Sequence, residues 1–524
     1  PLCPSLMKHN CVGTEGDEAC LIDLVRLFLV GKGQDLLSNV FKSTGQGKAV
    51  VRHIRSLSSN NIITGPAGGG GGESKKKKKK KSVEKIENFL IVLPTGGGKT
   101  MIIQMPNLHQ LSHYGASSGI AIIVTPLIAL RQAQMIEFSR NEAFPQQCVF
   151  TWQGLKSNAG AQRLLLTSNA VLANQCLFLF VTPEACEESN FQSLYHSLIE
   201  MKRVERVYID EAHNIVTSGN IYRPAYKSLS RNLRIDEGIV PFSLLSATIP
   251  KDFNVFVKEL HVALFGIEED EEDDITEWDW KEKVIEIRES VVVRREISIG
   301  IKSLNEIYLG GGSGTGFLFE SVIGAIAFHV LQARTLMSAV CNILIYCSTK
   351  DDVNVLFQIA QRLEKAFGMQ VSKFRADLLA EEKVLVNEWW FQTECVFSRV
   401  LFCTTAFGEG LDHPNVNVVI HAGMTYGLIN YFQEIGRLER RGENLFGSGR
   451  ALFIVNSSSG GGGGGNVMPS DEDVTCWIGD RDSCRWSKFG NYFDGKDSVT
   501  CESIGSFVLC DTCCNSKQDE ASHW

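Results

Sequence analysis

Nine short apolar runs, separated by amphipathic stretches and polar turns, constrain the fold of this chain more than any other feature. Each run is four to six residues long, which suits a strand better than a buried helix. A strand that reads as a continuous apolar run is buried on both faces, as strands of parallel sheets are. Their alternation with helical stretches predicts crossover connections and an α/β fold. Five runs precede the glycine-rich segment 310–316 and four follow it, which is enough for two sheets. The runs cover residues 89–93, 120–124, 177–181, 206–209, 242–245, 343–346, 399–403, 416–421 and 451–455.

Composition narrows the classes of function. The 524 residues carry a net charge of −8, and 44% of them are hydrophobic and 21% charged, as in many globular proteins. No apolar run approaches about 18 residues, so the sequence predicts no membrane span. Because the chain is acidic overall, net charge gives no argument for a nucleic-acid partner. Any such partner would have to be held by local patches and backbone amides.

Low-complexity segments punctuate the chain. Residues 68–72, 310–316 and 460–465 are rich in glycine and predict flexible linkers. Seven consecutive lysines at residues 75–81 have two interpretations that the sequence leaves open. They are either a nuclear-localisation or nucleic-acid-binding patch, or a solvated tether. We expect an intracellular protein, located in the nucleus.

The first motif that carries chemistry is segment 93–100, which reads Leu-Pro-Thr-Gly-Gly-Gly-Lys-Thr. It follows an apolar run and precedes a helical stretch, as a phosphate-binding loop must. Glycines let backbone N–H groups approach phosphates closely, and a helix N-terminus adds partial positive charge. We expect Lys99 to neutralise the β- and γ-phosphates of ATP and Thr100 to hold Mg²⁺. The other nucleotide contacts of this loop are predicted at Thr95, Gly96, Gly97 and Gly98.

The second motif places two adjacent carboxylates at the end of an apolar strand, in segment 207–213. Asp210 is predicted to hold Mg²⁺ through water, and Glu211 to orient and deprotonate the attacking water. A surface acidic pair is the common alternative for such a dipeptide. The phosphate loop upstream, at the expected order and distance, favours the catalytic interpretation.

The third motif contains two arginines, Arg437 and Arg440, on one face of a predicted helix. They either form surface salt bridges or supply an arginine finger from a second domain, with Arg440 the finger and Arg437 its neighbour. A single-domain NTPase has no need of such a segment about 340 residues after its phosphate loop.

In combination, these motifs resemble those of superfamily-two helicases, and the box that starts at Asp210 reads DEAH. The resemblance implies two RecA-like parallel-sheet domains in tandem, with ATP and Mg²⁺ as cofactors. It assigns Gln46 to the adenine base, and Gly408 and Asp412 to the segment that contacts the ribose. It assigns segment 245–248, Leu-Ser-Ala-Thr, to the coupling of hydrolysis to domain motion.

Finer features resemble the RecQ family of DNA helicases. Residues 215–224 match the length of the family's aromatic-rich loop, which couples DNA binding to ATPase activity. The family's central tryptophan is replaced here by Ser218. The resemblance predicts DNA contacts at Thr125, Pro126, Tyr222, Arg223, Tyr226 and Thr404.

Six of the 16 cysteines lie between Cys476 and Cys514, which favours one metal site in a reduced protein over a disulfide framework. Cys510 and Cys513 have the two-residue gap of a zinc knuckle. The surrounding sequence resembles the zinc-binding subdomain of RecQ proteins, which implies a structural Zn²⁺ site. Cys476 or Cys514 remains an alternative to Cys501, because the interval from Cys501 to Cys510 is longer than in the family. The four predicted ligands are Cys484, Cys501, Cys510 and Cys513.

The predicted layout is an N-terminal extension (1–36), a first RecA-like domain (37–290) with an insertion at 58–82, a second (291–456), and a linker with the zinc-binding subdomain (457–524). The predicted function is ATP-dependent 3′-to-5′ movement on single-stranded DNA, with unwinding of forked or duplex DNA. One alternative is a DEAH-type RNA helicase. Another is a DNA-binding ATPase clamp with little unwinding, which the substitution at Ser218 favours.

Overall fold

A computed structural model of the chain describes residues 49–50, 52–53, 86–94, 98–114, 119–125, 149–166, 178–217, 224–266, 275–289, 294–304, 315–392, 396–407, 416–425, 427–438, 449–456, 469–496 and 498–517. These residues form two compact units. Unit 1 comprises the described residues of Pro1–Ile249 and Phe253–Glu289, and unit 2 those of Pro250–Asp252 and Ser290–Trp524. The cysteine-rich segment belongs to unit 2. The predicted extension 1–36 and insertion 58–82 lie outside the described residues.

The strands of the described ranges fall into one parallel sheet per unit. Those of unit 1 are β1 (Asn88–Val92), β2 (Ile120–Val124), β3 (Val149–Thr151), β4 (Phe178–Val181), β5 (Val204–Asp210), β6 (Phe242–Ser246) and β7 (Val284–Arg288). Those of unit 2 are β8 (Ile297–Leu304), β9 (Asn342–Cys347), β10 (Met369–Phe374), β11 (Ser398–Cys403), β12 (Val418–Ala422) and β13 (Gly449–Asn456).

Helices connect the strands. In unit 1 they are α1 (Lys99–Tyr114), α2 (Trp152–Lys156), α3 (Ala159–Leu166), α4 (Pro183–Cys186), α5 (Ser189–Glu200), α6 (Asn214–Thr217), α7 (Leu229–Asn232), α8 (Lys258–Phe265) and α9 (Glu277–Lys283). In unit 2 they are α10 (Thr315–Met337), α11 (Lys350–Phe367), α12 (Ala380–Phe391), α13 (Leu428–Ile435), α14 (Pro469–Gly479), α15 (Arg485–Asp494) and α16 (Asp511–Lys517). Across the described ranges, none of them combines the length and the apolar character that a membrane span requires.

The sheet of unit 1 has the strand order β3-β4-β2-β5-β6-β1-β7, and all its pairs are parallel. The inner strands are buried almost throughout, because helices cover both faces of a parallel sheet. Since β5, β6 and β1 are neighbours, their carboxyl ends meet at one edge. Ligand sites of open α/β sheets form at this edge.

The sheet of unit 2 has the order β10-β11-β9-β12-β13-β8, again entirely parallel. The helix α11 begins with a capping box, in which the side chains of Thr349 and Asp352 each accept a hydrogen bond from the other's backbone N–H. It ends at Gly368, whose φ of 67° is left-handed and suits glycine. Helices α10 and α11 pack on the sheet to form a continuous apolar core.

All nine predicted strands are present, and the α/β class with two RecA-like sheets is confirmed. Four additional strands, β3, β7, β8 and β10, were not predicted from the sequence. Each of them lies at an edge of its sheet.

A buried histidine in unit 2 makes stability depend on pH. His329 lies in α10, where burial and then the nearby charge of Arg450 lower its pKa from 6.5 to about 3. The folded state therefore keeps His329 neutral, while the unfolded chain takes up a proton below pH 6.5. We expect this residue to remove stability as pH falls, by about 1.4 kcal/mol per pH unit between roughly pH 6.5 and 3. The measurement is denaturant unfolding at pH 5 and pH 7 for the wild type and His329→Gln. The free energy of unfolding of His329→Gln should change less between pH 5 and pH 7 than that of the wild type. An equal change in the two proteins would refute the prediction.

Candidate functional site

The phosphate-loop segment joins β1 to α1 at the carboxyl edge of the first sheet. The N–H of Leu93 donates to the carbonyl of Ser246 at 3.1 Å, which fixes the start of the loop beside β6. Gly98 adopts a φ of 79°, a conformation that favours glycine. Lys99 and Thr100 then open the helix, where free N–H groups attract anions. Thr95, Gly96 and Gly97 lie outside the described residues.

The two carboxylates follow β5 at the same edge. Asp210 is the last residue of β5 and is buried, and its Oδ1 accepts from the N–H of Glu211 at 3.0 Å. Glu211 has a φ of 51°, which is uncommon for a residue other than glycine. Such strained backbone concentrates at functional sites. The hydrogen bond from Ala212 N–H to Leu245 O, at 3.0 Å, holds this turn against β6.

His213 links the predicted elements of unit 1 to one another. Its Nδ1 lies 3.2 Å from Ser246 Oγ and 3.4 Å from Glu211 Oε2. Ser246 Oγ also accepts from the N–H of Thr248 at 3.1 Å. The pKa of His213 is lowered to about 3, by burial first and then by Lys99, while Asp210 opposes the shift. The loop lysine, the carboxylates and the Ser-Ala-Thr segment thus converge around one neutral imidazole.

In unit 2, a row of side chains crosses one face of the sheet near its carboxyl edge. Tyr346 lies in register with Cys403 on one side and His421 on the other, and His421 with Phe453. The imidazole of His421 stacks on both neighbouring rings, with centroids 5.2 Å from Tyr346 and 5.6 Å from Phe453. Its Nε2 forms a buried hydrogen bond of 2.7 Å with Glu434 on α13.

Arg437 follows α13 and is buried against this row. Burial raises the pKa of Tyr346 well above its ordinary value, and the adjacent Arg437 guanidinium opposes that shift. Burial likewise raises the pKa of Cys403, with Arg437 again opposing. Arg437 is therefore within electrostatic reach of both β9 and β11. Arg440, Gly408 and Asp412 lie outside the described residues, as does Gln46.

The predicted DNA-contacting residues have different surroundings. Thr125 directly follows β2 and is buried, with its N–H donating to Val181 O at 3.0 Å. Tyr226 lies in the short 3-10 turn Pro224–Tyr226 and is only 1% exposed, so in this conformation its ring offers no platform for a base. Thr404 follows β11 and is half-buried. Pro126, Tyr222 and Arg223 are outside the described residues.

The four predicted sulfur ligands come together. The Sγ atoms of Cys484, Cys501, Cys510 and Cys513 all lie within 4.8 Å of one another. Cys484 Sγ is 3.7 Å from Cys501 Sγ and 3.8 Å from Cys510 Sγ. A tetrahedral Zn²⁺ with bonds of about 2.3 Å requires sulfurs about 3.8 Å apart. The cluster therefore fits this ion. Of the two alternatives to Cys501, Cys476 is exposed, and neither Cys476 nor Cys514 belongs to the cluster that the described residues form.

The cysteine-rich segment is fixed to the second sheet by polar and aromatic contacts. Arg485, at the start of α15, donates from Nε and Nη2 to the two carboxylate oxygens of Asp511 at 2.8 and 3.0 Å. Asp511 Oδ2 also accepts from the N–H of Ile301 on β8 at 3.0 Å. On the other side, Phe489 of α15 packs against Phe432 of α13, with ring centroids 5.2 Å apart.

Sequence reasoning missed two contacts of this site, His213 with Ser246 and His421 with Glu434. The first joins residues 33 positions apart and the second joins residues 13 positions apart, so neither pair lies within one contiguous motif. One signal was available: each histidine follows or ends an apolar strand, where a polar side chain is unusual unless it has a partner.

Comparison with known proteins agrees with this geometry. Residues 76–256 match the family model of the DEAD/DEAH box helicases, and residues 328–442 match the helicase conserved C-terminal domain. The chain is 28% identical over 361 residues to the ATP-dependent DNA helicase hus2/rqh1 of Schizosaccharomyces pombe, covering 68% of this chain and 23% of that protein. It is 24% identical over 355 residues to the ATP-dependent DNA helicase RecQ of Synechocystis, covering 67% and 62%.

Solved structures agree on the fold. The DEAD-box helicase Mss116 bound to single-stranded RNA superimposes with a TM-score of 0.54 at 15% identity, over 84% of this chain and 75% of that one. The Mycobacterium smegmatis helicase Lhr bound to single-stranded DNA gives 0.52 at 15% identity, over 82% and 47%. The match with hus2/rqh1 spans about a quarter of that protein's length, and the match with RecQ about three fifths. The chain therefore contains a DEAD/DEAH box helicase domain and a helicase conserved C-terminal domain, and it is similar in sequence to RecQ-like DNA helicases.

Proposed function

We propose that this chain hydrolyses ATP to move along single-stranded DNA in the 3′-to-5′ direction and to unwind duplex DNA. The convergence of Lys99, Asp210 and Glu211 around His213 is the observation that carries the hydrolytic part. The choice of DNA follows the relatives, which are DNA helicases by name. The direction rests on the resemblance to the RecQ family alone.

The residues at the carboxyl edge of the first sheet would have different roles in hydrolysis. Bound Mg²⁺ would offset the phosphate charge, and we assign its ligands to Thr100 and, through water, Asp210. Lys99 would bind the β- and γ-phosphates. Glu211 would orient the attacking water and take its proton. His213 remains neutral at physiological pH, so it would hold Ser246 by hydrogen bonding and not by charge.

The second unit carries the two arginines of the third motif. We assign transition-state charge stabilisation to Arg440 and Arg437. We assign the remaining nucleotide contacts to the phosphate-loop residues Thr95, Gly96, Gly97 and Gly98. On the resemblance alone, we also assign Gln46, Gly408 and Asp412 to the nucleotide. Thr404, Pro126, Tyr222 and Arg223 are the proposed contacts with the DNA strand. Thr125 and Tyr226 are buried, so in the conformation described here we propose that their side chains stabilise the surrounding structure and do not contact the strand directly.

We also propose that the cluster of Cys484, Cys501, Cys510 and Cys513 binds one structural Zn²⁺. The spacing of the sulfurs supports a closed tetrahedral site with no open position for chemistry.

The test of the main proposal is ATP hydrolysis without nucleic acid, with single-stranded DNA, and with RNA of the same sequence. We expect strong stimulation by DNA and little by RNA. Stimulation by RNA equal to that by DNA would instead identify an RNA helicase, because the 2′-hydroxyl would then be accepted or required.

Strand separation is tested on duplexes that carry a single-stranded tail at either the 3′ or the 5′ end. We expect unwinding only with the 3′ tail. Unwinding from the 5′ tail alone would refute the proposed direction. DNA-stimulated hydrolysis without any strand separation would identify an ATP-driven clamp in place of a helicase.

A further inference from the structure

The loop between two of the clustered cysteines presents an exposed aromatic ring. Cys501 and Cys510 are separated by the residues 502–509, and Phe507 lies near the end of this interval. Phe507 is 63% exposed, and across the described residues 469–517 it is the one large apolar residue that is strongly exposed. The rings of Phe489 and Phe493, in the same segment, are fully buried. A ring left in water in this way gains free energy from any ligand that covers it.

The backbone of this loop is fixed on both sides of the ring. The N–H of Phe507 donates to the carbonyl of Arg295 at 3.0 Å, and the N–H of Ser506 donates to the carbonyl of Cys501 at 2.8 Å. Between them and the start of the loop, Gly505 makes the turn with a φ of 63°, a conformation that favours glycine. Because the loop is already held in one conformation, a ligand that binds to the ring has little ordering entropy to overcome.

A cation lies beside the ring. Arg295 is exposed, and its backbone hydrogen bond places it next to Phe507. Its side chain follows the same loop, since a Cβ built on Gly505 would lie 4.0 Å from Arg295 Nε. Glu502 is exposed on this loop as well and would oppose an anion. The ring would therefore supply most of the binding free energy, and the guanidinium would supply a single anion contact.

This arrangement fits an unpaired nucleotide better than a protein partner. Protein interfaces are built around several apolar or aromatic residues, whereas the exposed neighbours of Phe507 on the loop are Glu502, Ser503 and Gly505. A base has a flat π-face that stacks on a single aromatic ring, and a phosphate oxygen accepts hydrogen bonds from a guanidinium. Stacking tolerates every base, as a contact with a moving strand requires.

We propose that Phe507 and Arg295 form an accessory contact for single-stranded DNA, in which Phe507 stacks on a base and Arg295 binds a neighbouring phosphate. The contact lies entirely within unit 2. It rests on the proposed function, which makes single-stranded DNA the partner. It is separate from the strand contact proposed at Thr404, because Thr404 follows the carboxyl end of β11 while Arg295 precedes the amino end of β8.

The experiment measures the affinity of the full chain for a fluorescent oligothymidylate by anisotropy, without ATP, at several salt concentrations. The variants are Phe507→Ala, Phe507→Leu, Phe507→Trp and Arg295→Gln. Two matched controls remove an exposed phenylalanine and an exposed arginine elsewhere in unit 2: Phe397→Ala, at a residue that is 45% exposed, and Arg362→Gln. Thermal unfolding and zinc content report whether each variant is folded.

We expect Phe507→Ala to weaken DNA binding about fivefold to a hundredfold, with an unchanged dependence on salt. Phe507→Leu keeps an apolar side chain without a π-face and should lose nearly as much, whereas Phe507→Trp should bind at least as tightly as the wild type. Arg295→Gln should lower the slope of log K against log salt by about 0.7, the value for one phosphate contact on a single strand. Both controls should behave as the wild type.

Several outcomes would overturn the contact while the proposed function stands. If the wild type binds single-stranded DNA and Phe507→Ala and Arg295→Gln bind it equally well, the contact is refuted. Normal binding by Phe507→Leu would refute stacking. Normal DNA binding by Phe507→Ala, together with a loss of self-association on size-exclusion chromatography, would instead identify an interface between copies of the chain. If Phe507→Ala does not fold, the comparison of Phe507→Leu with Phe507→Trp replaces it. If the wild type binds no single-stranded DNA, the proposed function fails and the contact fails with it.

Discussion

Replacing Lys99 with alanine is expected to abolish DNA-stimulated ATP hydrolysis, with a loss of at least about a hundredfold to a thousandfold. Lys99 is the charged residue at the start of α1, and its effect on the pKa of His213 shows that its charge reaches the site of the carboxylates. Without it, the phosphates would face Asp210 and Glu211 with no fixed cation from the loop. The measurement is the rate of phosphate release at saturating ATP.

A matched control for this change is Lys156→Ala. Lys156 is a surface lysine of unit 1, 44% exposed, in an ion pair with Glu188 at 2.9 Å. Exposed pairs of this kind contribute at most about 1 kcal/mol to stability, so this variant should remain folded and active. Normal turnover by Lys99→Ala would show that the nucleotide does not bind at the segment 93–100.

Replacing Cys510 with serine is expected to remove zinc and to lower the yield of folded protein. Cys510 is fully buried, 3.8 Å from Cys484 Sγ, and its N–H donates to Cys501 Sγ at 3.3 Å. Zinc binding contributes roughly 10–16 kcal/mol in zinc-finger peptides. Because the segment here also packs on the second sheet, we expect a smaller loss of about 2–5 kcal/mol in the free energy of unfolding.

Zinc content by atomic emission and thermal unfolding of the purified chain check this prediction. The control is Cys476→Ser, since Cys476 is exposed and lies outside the cluster. We expect about one zinc per chain in the wild type and the control, and none in Cys510→Ser. Equimolar zinc in Cys510→Ser, or its loss in the control, would refute the ligand assignment.

The sequence predicted the interior of both sheets but not their edges. Inner strands such as β2 and β4 are buried at every residue and appear as continuous apolar runs. The four strands that were missed, β3, β7, β8 and β10, have at least one face partly exposed, so polar residues interrupt their apolar pattern. The strand β10 reads Met-Gln-Val-Ser-Lys-Phe, which resembles a turn or a helix end as much as a strand. Tertiary structure decides which strands lie at an edge, and edge strands accept polar residues. A local apolar pattern therefore does not identify them.

The candidate site shows the same division between local and long-range information. The phosphate loop and the DEAH box are contiguous, because neighbouring residues there act on one ligand, so both could be predicted from the sequence. The hydrogen bond between His421 of β12 and Glu434 of α13 depends on how a helix packs against a strand and could not. The choice of Cys501 over Cys476 likewise required the distances between sulfur atoms.

The attachment of the cysteine-rich segment to β8 has a consequence for aggregation of the protein. As the last strand of its sheet, β8 pairs with β13 on one side only. On its other side, Asp511 accepts from the N–H of Ile301, and the carbonyl of Leu509 accepts from the hydroxyl of Ser298. The unpaired backbone N–H and C=O groups of an uncovered edge strand can pair with a strand of another molecule, which promotes aggregation. The cysteine-rich segment thus covers β8 against intermolecular strand addition, and a chain without the proposed zinc is expected to self-associate through β8 before it unfolds completely.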